Sequence, residues 1–189
     1  RMGSTSEQQA LYDEHRPDAI WRRVHSHNGQ GYTRSAVLGA LDGVVTTFAI
    51  VAGTIGGGFA PIVTVVLGAA NLLADGFSMA ASEYQATRAE GDEIDDARDN
   101  EYHHIKAVPG KERDEVREIY RKKGFRGELL DKAVRVTTQN SKTWVDTMLV
   151  DELGLQTGKK SPFRAAAVTL NAFMAAGAVP LMPFLMPAV

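Results

Sequence analysis

The chain has 189 residues, a net charge of −2 and no cysteine. That length suits one or two compact units. The near-neutral balance leaves no electrostatic footprint for nucleic acid, and without cysteine there are no disulfides, thiolate zinc sites or cysteine nucleophiles.

Residues 7–32 are polar, with partial helix expected. Ala19, Ile20, Trp21, Arg22, Arg23 and Val24 form a short amphipathic stretch whose Trp and Arg suit a lipid headgroup region. Gly29 and Gly31 are expected to break it. Two apolar runs follow, Ser35 to Ile55 and Pro61 to Ala81. Each has about the ~20 residues that a helix needs to cross the hydrocarbon core of a bilayer. The Gly56–Pro61 link allows only a tight antiparallel hairpin. The first run is no cleavable signal peptide, because a long polar segment precedes it and a second span follows at once.

Each run carries one acidic residue, Asp42 in the first and Asp75 in the second. A carboxylate at that depth costs roughly 2.5–3.5 kcal/mol on insertion scales, so it usually faces a partner, an ion or a proton path. Counted from the charged ends, both lie about 10–14 Å deep at ~1.5 Å per residue, at matching levels of the hairpin. Asn71, Asp75, Met79 and Glu83 are spaced by four and share one helix face. Oxygen donors with one thioether favour a borderline divalent ion, such as ferrous iron or manganese, over calcium. The bland reading is that the aspartates hydrogen-bond within the helices and that Met79 fills space. Gly39, Gly43, Thr46 and Gly53 form a small-residue face on the first span, suited either to packing within the chain or to a second copy.

Residues 82–160 read as polar helices. The first continues the second span to about Lys106, Val108-Pro109-Gly110 breaks the chain, and helices follow at 111–123, 128–139 and 142–153, the last capped by Ser141 and ended by Gly154. Glu101 and His104 are spaced by three, as are Glu112 and Glu115, while Met148 and Glu152 are spaced by four. Each pair shares one helix face. Taken singly, each is more simply a solvated face with Glu–Lys partners. Together, beside two membrane carboxylates, they describe a cytoplasmic metal-binding module. E-x-x-H is also half of a di-iron bundle signature, so a membrane-tethered or ferritin-like storage bundle is the alternative, and a protein-binding membrane adaptor is a third.

Residues 165–189 form a third apolar run containing Pro180, Pro183 and Pro187, for which a kink or unwound end is expected. Basic residues flank the spans at Arg22, Arg23, Arg34, Arg88, Arg98, Lys159, Lys160 and Arg164, and none lies in the Gly56–Pro61 loop. This places the N-terminus and 82–160 in the cytoplasm. The expected organisation is all-α: a cytoplasmic segment 1–34, two membrane helices in 35–84, a helical cytoplasmic domain 85–160 and a third membrane helix in 161–189. No enzyme activity or organic cofactor is expected.

Four stretches resemble the vacuolar iron transporter family, which includes the yeast-type calcium-cross-complementing proteins: AVLGALDGVVTTFAIVAG (36–53), NLLADGFSMAASEY (71–84), EVREIYRKKGF (115–125) and WVDTMLVDELGL (144–155). The resemblance implies a proton-coupled exporter of ferrous iron and manganese, with zinc and cobalt as further candidates. It also implies a five-helix homodimer, so that this chain stops before the membrane domain is complete, in a vacuolar-type or bacterial plasma membrane. Carried over by position, Asp42 and Met79 become translocation residues, and Glu101, Glu112, Glu115, Met148 and Glu152 metal ligands. His104 stands where the plant-type pattern has glutamate and can bind a metal ion when neutral. Asn71 stands where that pattern has a membrane glutamate, and Asp75, one turn on, takes up the role. Leu149 replaces the second methionine of a Met-Met pair.

Overall fold

The computed structural model describes residues 5–25 and 31–185, all helix and connecting turns, with no strand among them. Gly29 and Pro187 lie outside the described residues. The chain divides into two units, residues 1–31 and 32–189.

The N-terminal unit holds α1 (Thr5–Glu14) and α2 (Pro17–His25). Pro17 opens α2, and Asp18 in its first turn pairs with Arg22 at 3.1 Å. Ile20 and Trp21 are solvent-exposed.

The second unit begins with α3 (Thr33–Gly56), turns through Gly57–Ala60 and enters α4 (Pro61–Ala107), 47 residues without interruption. At ~1.5 Å per residue that helix is about 70 Å long, more than twice the thickness of a hydrocarbon core. It carries the second span and then the first helix of the polar module on one rod. Val108 alone, at φ −134°, joins it to α5 (Pro109–Lys122). The break expected at 108–110 is therefore a one-residue corner, because proline is well placed at the first position of the next helix. Gly124, at φ +99°, ends α5 and turns the chain towards α6 (Gly127–Thr138). The cap of α7 (Ser141–Asp151) is Asn140, whose side chain accepts from the backbone N–H of Lys142 and Thr143. Ser141 was the expected cap; asparagine one residue earlier serves the same orphan donors, and its Oδ1 accepts both. The last span runs through α8 (Pro162–Ala178), a 3-10 turn at Val179–Leu181 and α9 (Met182–Leu185). Its break coincides with Pro180, as proline chemistry requires.

Among the described residues three helical stretches are long and apolar enough to cross a membrane: Thr33–Gly56, Pro61–Ala107 and Pro162–Leu185. Most of their large apolar side chains face outward, among them Leu41, Val45, Phe48, Leu73 and Phe77. Contacts among these helices cannot be driven by exclusion of water when lipid is the solvent, so small residues and hydrogen bonds matter most. Gly39 and Gly43 let α8 lie directly on α3. A Cβ on Gly39 would stand 2.5 Å from the carbonyl oxygen of Thr169, and one on Gly43 would meet the carbonyl of Phe173. The small-residue face is thus used within the chain at Gly39 and Gly43, whereas Gly53 is open. Because backbone atoms cannot yield, Gly43→Ala is expected to destabilise the bundle by about 1–3 kcal/mol, read as a lower melting temperature in detergent, while Gly53→Ala is neutral or stabilising. Equal melting temperatures for the two variants would contradict this packing.

The polar module has its own core of Val116, Leu130, Val134, Trp144 and Met148, with Ile105, Ile119, Tyr120 and Phe125 packed around it. Ion pairs join its helices: Arg98 to Asp146 at 2.7 Å, Arg117 to Asp131 at 2.5 Å and Lys123 to Asp151 at 2.5 Å.

Candidate metal centre

Three hydrogen bonds set the register of α3 against α4. Thr64 Oγ1 donates to Thr54 Oγ1 at 2.8 Å near the hairpin, Asn71 Nδ2 donates to Thr46 Oγ1 at 3.4 Å, and Ser35 Oγ donates to Glu83 Oε1 at 2.5 Å near the polar end. One turn from the middle pair, towards the polar end of each helix, stand Asp42 and Asp75. The antiparallel register puts them level with each other. Both are half-buried, as are Asn71, Met79 and Glu83 along the same face of α4. Met79 also packs against the apolar cluster of Val51, Leu72, Phe173 and Leu181. The membrane residues singled out by spacing therefore line one seam, with Asn71 serving as a cross-helix hydrogen-bond donor.

In the polar module, α4 delivers Glu101 and His104, α5 delivers Glu112 and Glu115, and α7 delivers Met148 and Glu152. The one-residue corner at Val108 folds the start of α5 back towards the end of α4. His104 Nδ1 then lies 3.9 Å from Glu101 Oε1 and 3.9 Å from Glu112 Oε1, too far for hydrogen bonds but between two carboxylates. Glu101 and Glu112 are 6% and 4% exposed. The Oε2 atom of each is buried without any hydrogen-bond partner. Leaving such a group unsatisfied costs about 1–3 kcal/mol or more when charged, and native folds rarely tolerate it without a reason. Glu115 and Glu152 are exposed and share the lining of a cleft of about 390 Å³ with Lys111, Asp114, Glu118 and Ile119.

The carboxyls affect one another. Burial raises Glu101, His104 pulls it back and Glu115 adds to the rise. Burial raises Glu112, with Glu115 and Glu101 adding to it, His104 opposing and Glu152 contributing last. Burial raises Glu152, with Glu115 and Glu101 adding and His104 opposing. Four glutamates and one histidine thus form one electrostatic cluster. Among the described residues no three such groups already stand in the close ring that would enclose one ion. The cluster is an open set of mostly like charges. Met148 is fully buried in the module's apolar core, one turn from Glu152. Spacing alone did not find Arg98 and Asp146, whose ion pair braces α4 against α7 and so aligns the glutamates on both; no local repeat marks two partners 48 residues apart.

Helices throughout the described residues, three of them apolar and of membrane-spanning length and one of these continuing into a carboxylate cluster, give the plan of a helical membrane protein with an acidic polar module. Residues 33–189 match the VIT family. The chain belongs to that family, in agreement with the resemblance carried by the four stretches. It is 35% identical to a vacuolar iron transporter of Toxoplasma gondii, over 85% of this chain and 54% of that protein. It is 30% identical to one of Plasmodium falciparum, over 80% of this chain and 57% of that protein, and 30% identical to vacuolar iron transporter 1 of Arabidopsis thaliana, over 98% of this chain and 72% of that protein. The chain thus spans little more than half the length of the apicomplexan relatives.

Proposed function

We propose that this chain is part of a membrane transporter that moves ferrous iron, and manganese as a second substrate, out of the cytoplasm in exchange for protons. The observation that carries this reading is the pair of buried, unpartnered carboxylate oxygens on Glu101 and Glu112, set beside Glu115, Glu152 and His104 at the end of α4, the helix that also carries Asp75 and Met79 in the membrane seam. Family membership and the relatives' names support iron as the substrate. The proposed cycle has two stages. The polar module gathers ions from the cytoplasm with Glu101, His104, Glu112, Glu115 and Glu152, and Met148 supplies a soft donor if the core opens at α7. The ion then meets Met79, Asp75 and Asp42 in the seam. Two carboxylates compensate a divalent charge in low dielectric, where Coulomb attraction greatly exceeds its value in water. When the ion leaves, bare carboxylates at that depth repel, and uptake of a proton from the far side restores neutrality.

In this proposal the residues 85–160 are a cytoplasmic domain, the membrane part is completed to five helices, the membrane is vacuolar in type, and the protein is a homodimer. Because α8 covers Gly39 and Gly43, the second copy would meet the exposed Leu41, Val45 and Phe48 face of α3. A ferritin-like store would need a second E-x-x-H, which the sequence lacks.

The test of function is manganese or ferrous iron flux into liposomes carrying the full-length protein under an imposed proton gradient. Flux should stop when the gradient is collapsed; gradient-independent flux would contradict exchange. Topology is checked in sealed vesicles with the cytoplasmic face outward. An impermeant thiol reagent should label Glu128→Cys at once and Gly57→Cys only after permeabilisation, and the opposite pattern would reverse the orientation.

A further inference from the structure

Glu83 lies on the seam but belongs to neither stage of the proposed path. It is half-buried at the polar end of the Asn71–Asp75–Met79 stripe. Ser35, only 5% exposed, donates to its Oε1 at 2.5 Å. The backbone carbonyl of Ser35 in turn accepts from Thr169 Oγ1 at 3.4 Å, and Thr169 is fully buried. α3 thus reaches the α4 carboxylate through the Ser35 hydroxyl, and α8 bonds the backbone of that same serine. The second oxygen of Glu83, Oε2, has no hydrogen-bond partner among the described residues. Along α4, Glu83 comes two turns, about 12 Å, after Asp75 and roughly 27 Å before Glu101 at ~1.5 Å per residue. From Glu90 to Asp99 α4 carries six acidic residues, but between Asp75 and Glu90 it carries Glu83 alone, and a stretch of low dielectric without a negative charge is a desolvation barrier to a partly dehydrated divalent ion.

Resting on the transport reading, we propose that Glu83 is an intermediate cation-binding residue between the cytoplasmic cluster and the Asp42/Asp75 pair, and that Ser35 positions it. The hydroxyl holds Oε1 across the α3–α4 seam and leaves Oε2 to take the ion. One carboxylate with one hydroxyl makes a weak, hard-oxygen site. That suits a station an ion must leave as readily as it enters.

Two near-isosteric changes separate this role from a merely structural latch. Glu83→Gln removes the charge but keeps an amide oxygen that can accept from Ser35. Ser35→Ala removes the hydrogen bond and keeps the charge. Manganese flux is measured in liposomes with the full-length protein. Glu83→Gln is expected to raise KM about tenfold with the maximal rate largely kept, the mark of lost ion binding along the path, while its melting temperature stays at the wild-type value. Glu83→Asp should recover part of that loss, and Ser35→Ala should change KM less than Glu83→Gln. An unchanged KM in Glu83→Gln, or a KM shift matched by Ser35→Ala together with lowered melting temperatures in both, would overturn the assignment. Wild-type protein that carries no manganese would instead sink the transport reading itself, so the two failures are distinguishable.

Discussion

Asp42→Asn is expected to abolish gradient-driven metal flux, by about 100-fold or more, while leaving metal binding by the polar module intact. The amide is nearly isosteric with the carboxylate and can still hydrogen-bond, so packing beside the α8-covered Gly43 is preserved. What is lost is one of two negative charges level with each other in the seam. In a medium of low dielectric, each unit of uncompensated charge on a divalent ion raises the barrier far more than it would in water. Asp75→Asn should reduce flux strongly, because the Asn71–Thr46 bond sets it level with Asp42. Liposome flux, run beside a metal titration of the same preparation, checks both variants. Flux persisting in Asp42→Asn would refute the two-carboxylate mechanism.

The second large effect concerns the polar module without metal. Glu101, Glu112 and Glu152 are all held above the ordinary carboxyl value of 4.5 by burial first and by neighbouring carboxylates after it, with His104 opposing. Over the interval from 4.5 up to those raised values, the folded state binds more protons than the unfolded chain. Stability therefore falls as pH rises through that interval. The metal-free protein should melt at a higher temperature near pH 5 than near pH 7. Added manganese should reverse the loss at pH 7, because a ligand that binds only the folded state contributes about 2.7 kcal/mol at 100 times its Kd. In Glu101→Gln/Glu112→Gln the metal-free protein should be more stable at pH 7 than wild type and should gain nothing from manganese. Metal affinity should also fall on acidification in wild type, since the ligands must shed protons before they bind. A metal-free melting temperature that rises from pH 5 to pH 7 would contradict the raised carboxyls and the linkage drawn from them.

Much of this was legible in the sequence, for identifiable reasons. The spans are long uniform stretches, so composition marks them. The i,i+3 and i,i+4 spacings of Glu101/His104, Glu112/Glu115 and Asn71/Asp75/Met79/Glu83 are properties of a single helix, and they reappear as shared faces in the structure. What lay out of reach was tertiary. That α8 would occupy Gly39 and Gly43 depends on residues about 130 positions away, and a small-residue face reads the same whether its partner is within the chain or in a second copy. Met148 looked like a donor by its spacing to Glu152; the structure seats it in an apolar core that no single helix could disclose. Ser35 as the partner of Glu83, and Asp146 as the partner of Arg98, are cross-helix contacts with no periodic trace. The choice of Asn140 over Ser141 as a cap depended on one residue's backbone angle, which adjacent good capping residues leave undetermined.

The most direct measurement is a calorimetric titration of manganese into metal-stripped, detergent-solubilised protein at pH 7, comparing wild type with Glu112→Ala/Glu115→Ala. Wild type should bind saturably, with heats that vary with buffer ionisation because protons are released, and the double variant should bind at least about 100-fold more weakly, since two of four clustered carboxylates are gone. Equal binding by both proteins would contradict a metal centre at this cluster and return its glutamates to the role of a solvated acidic face.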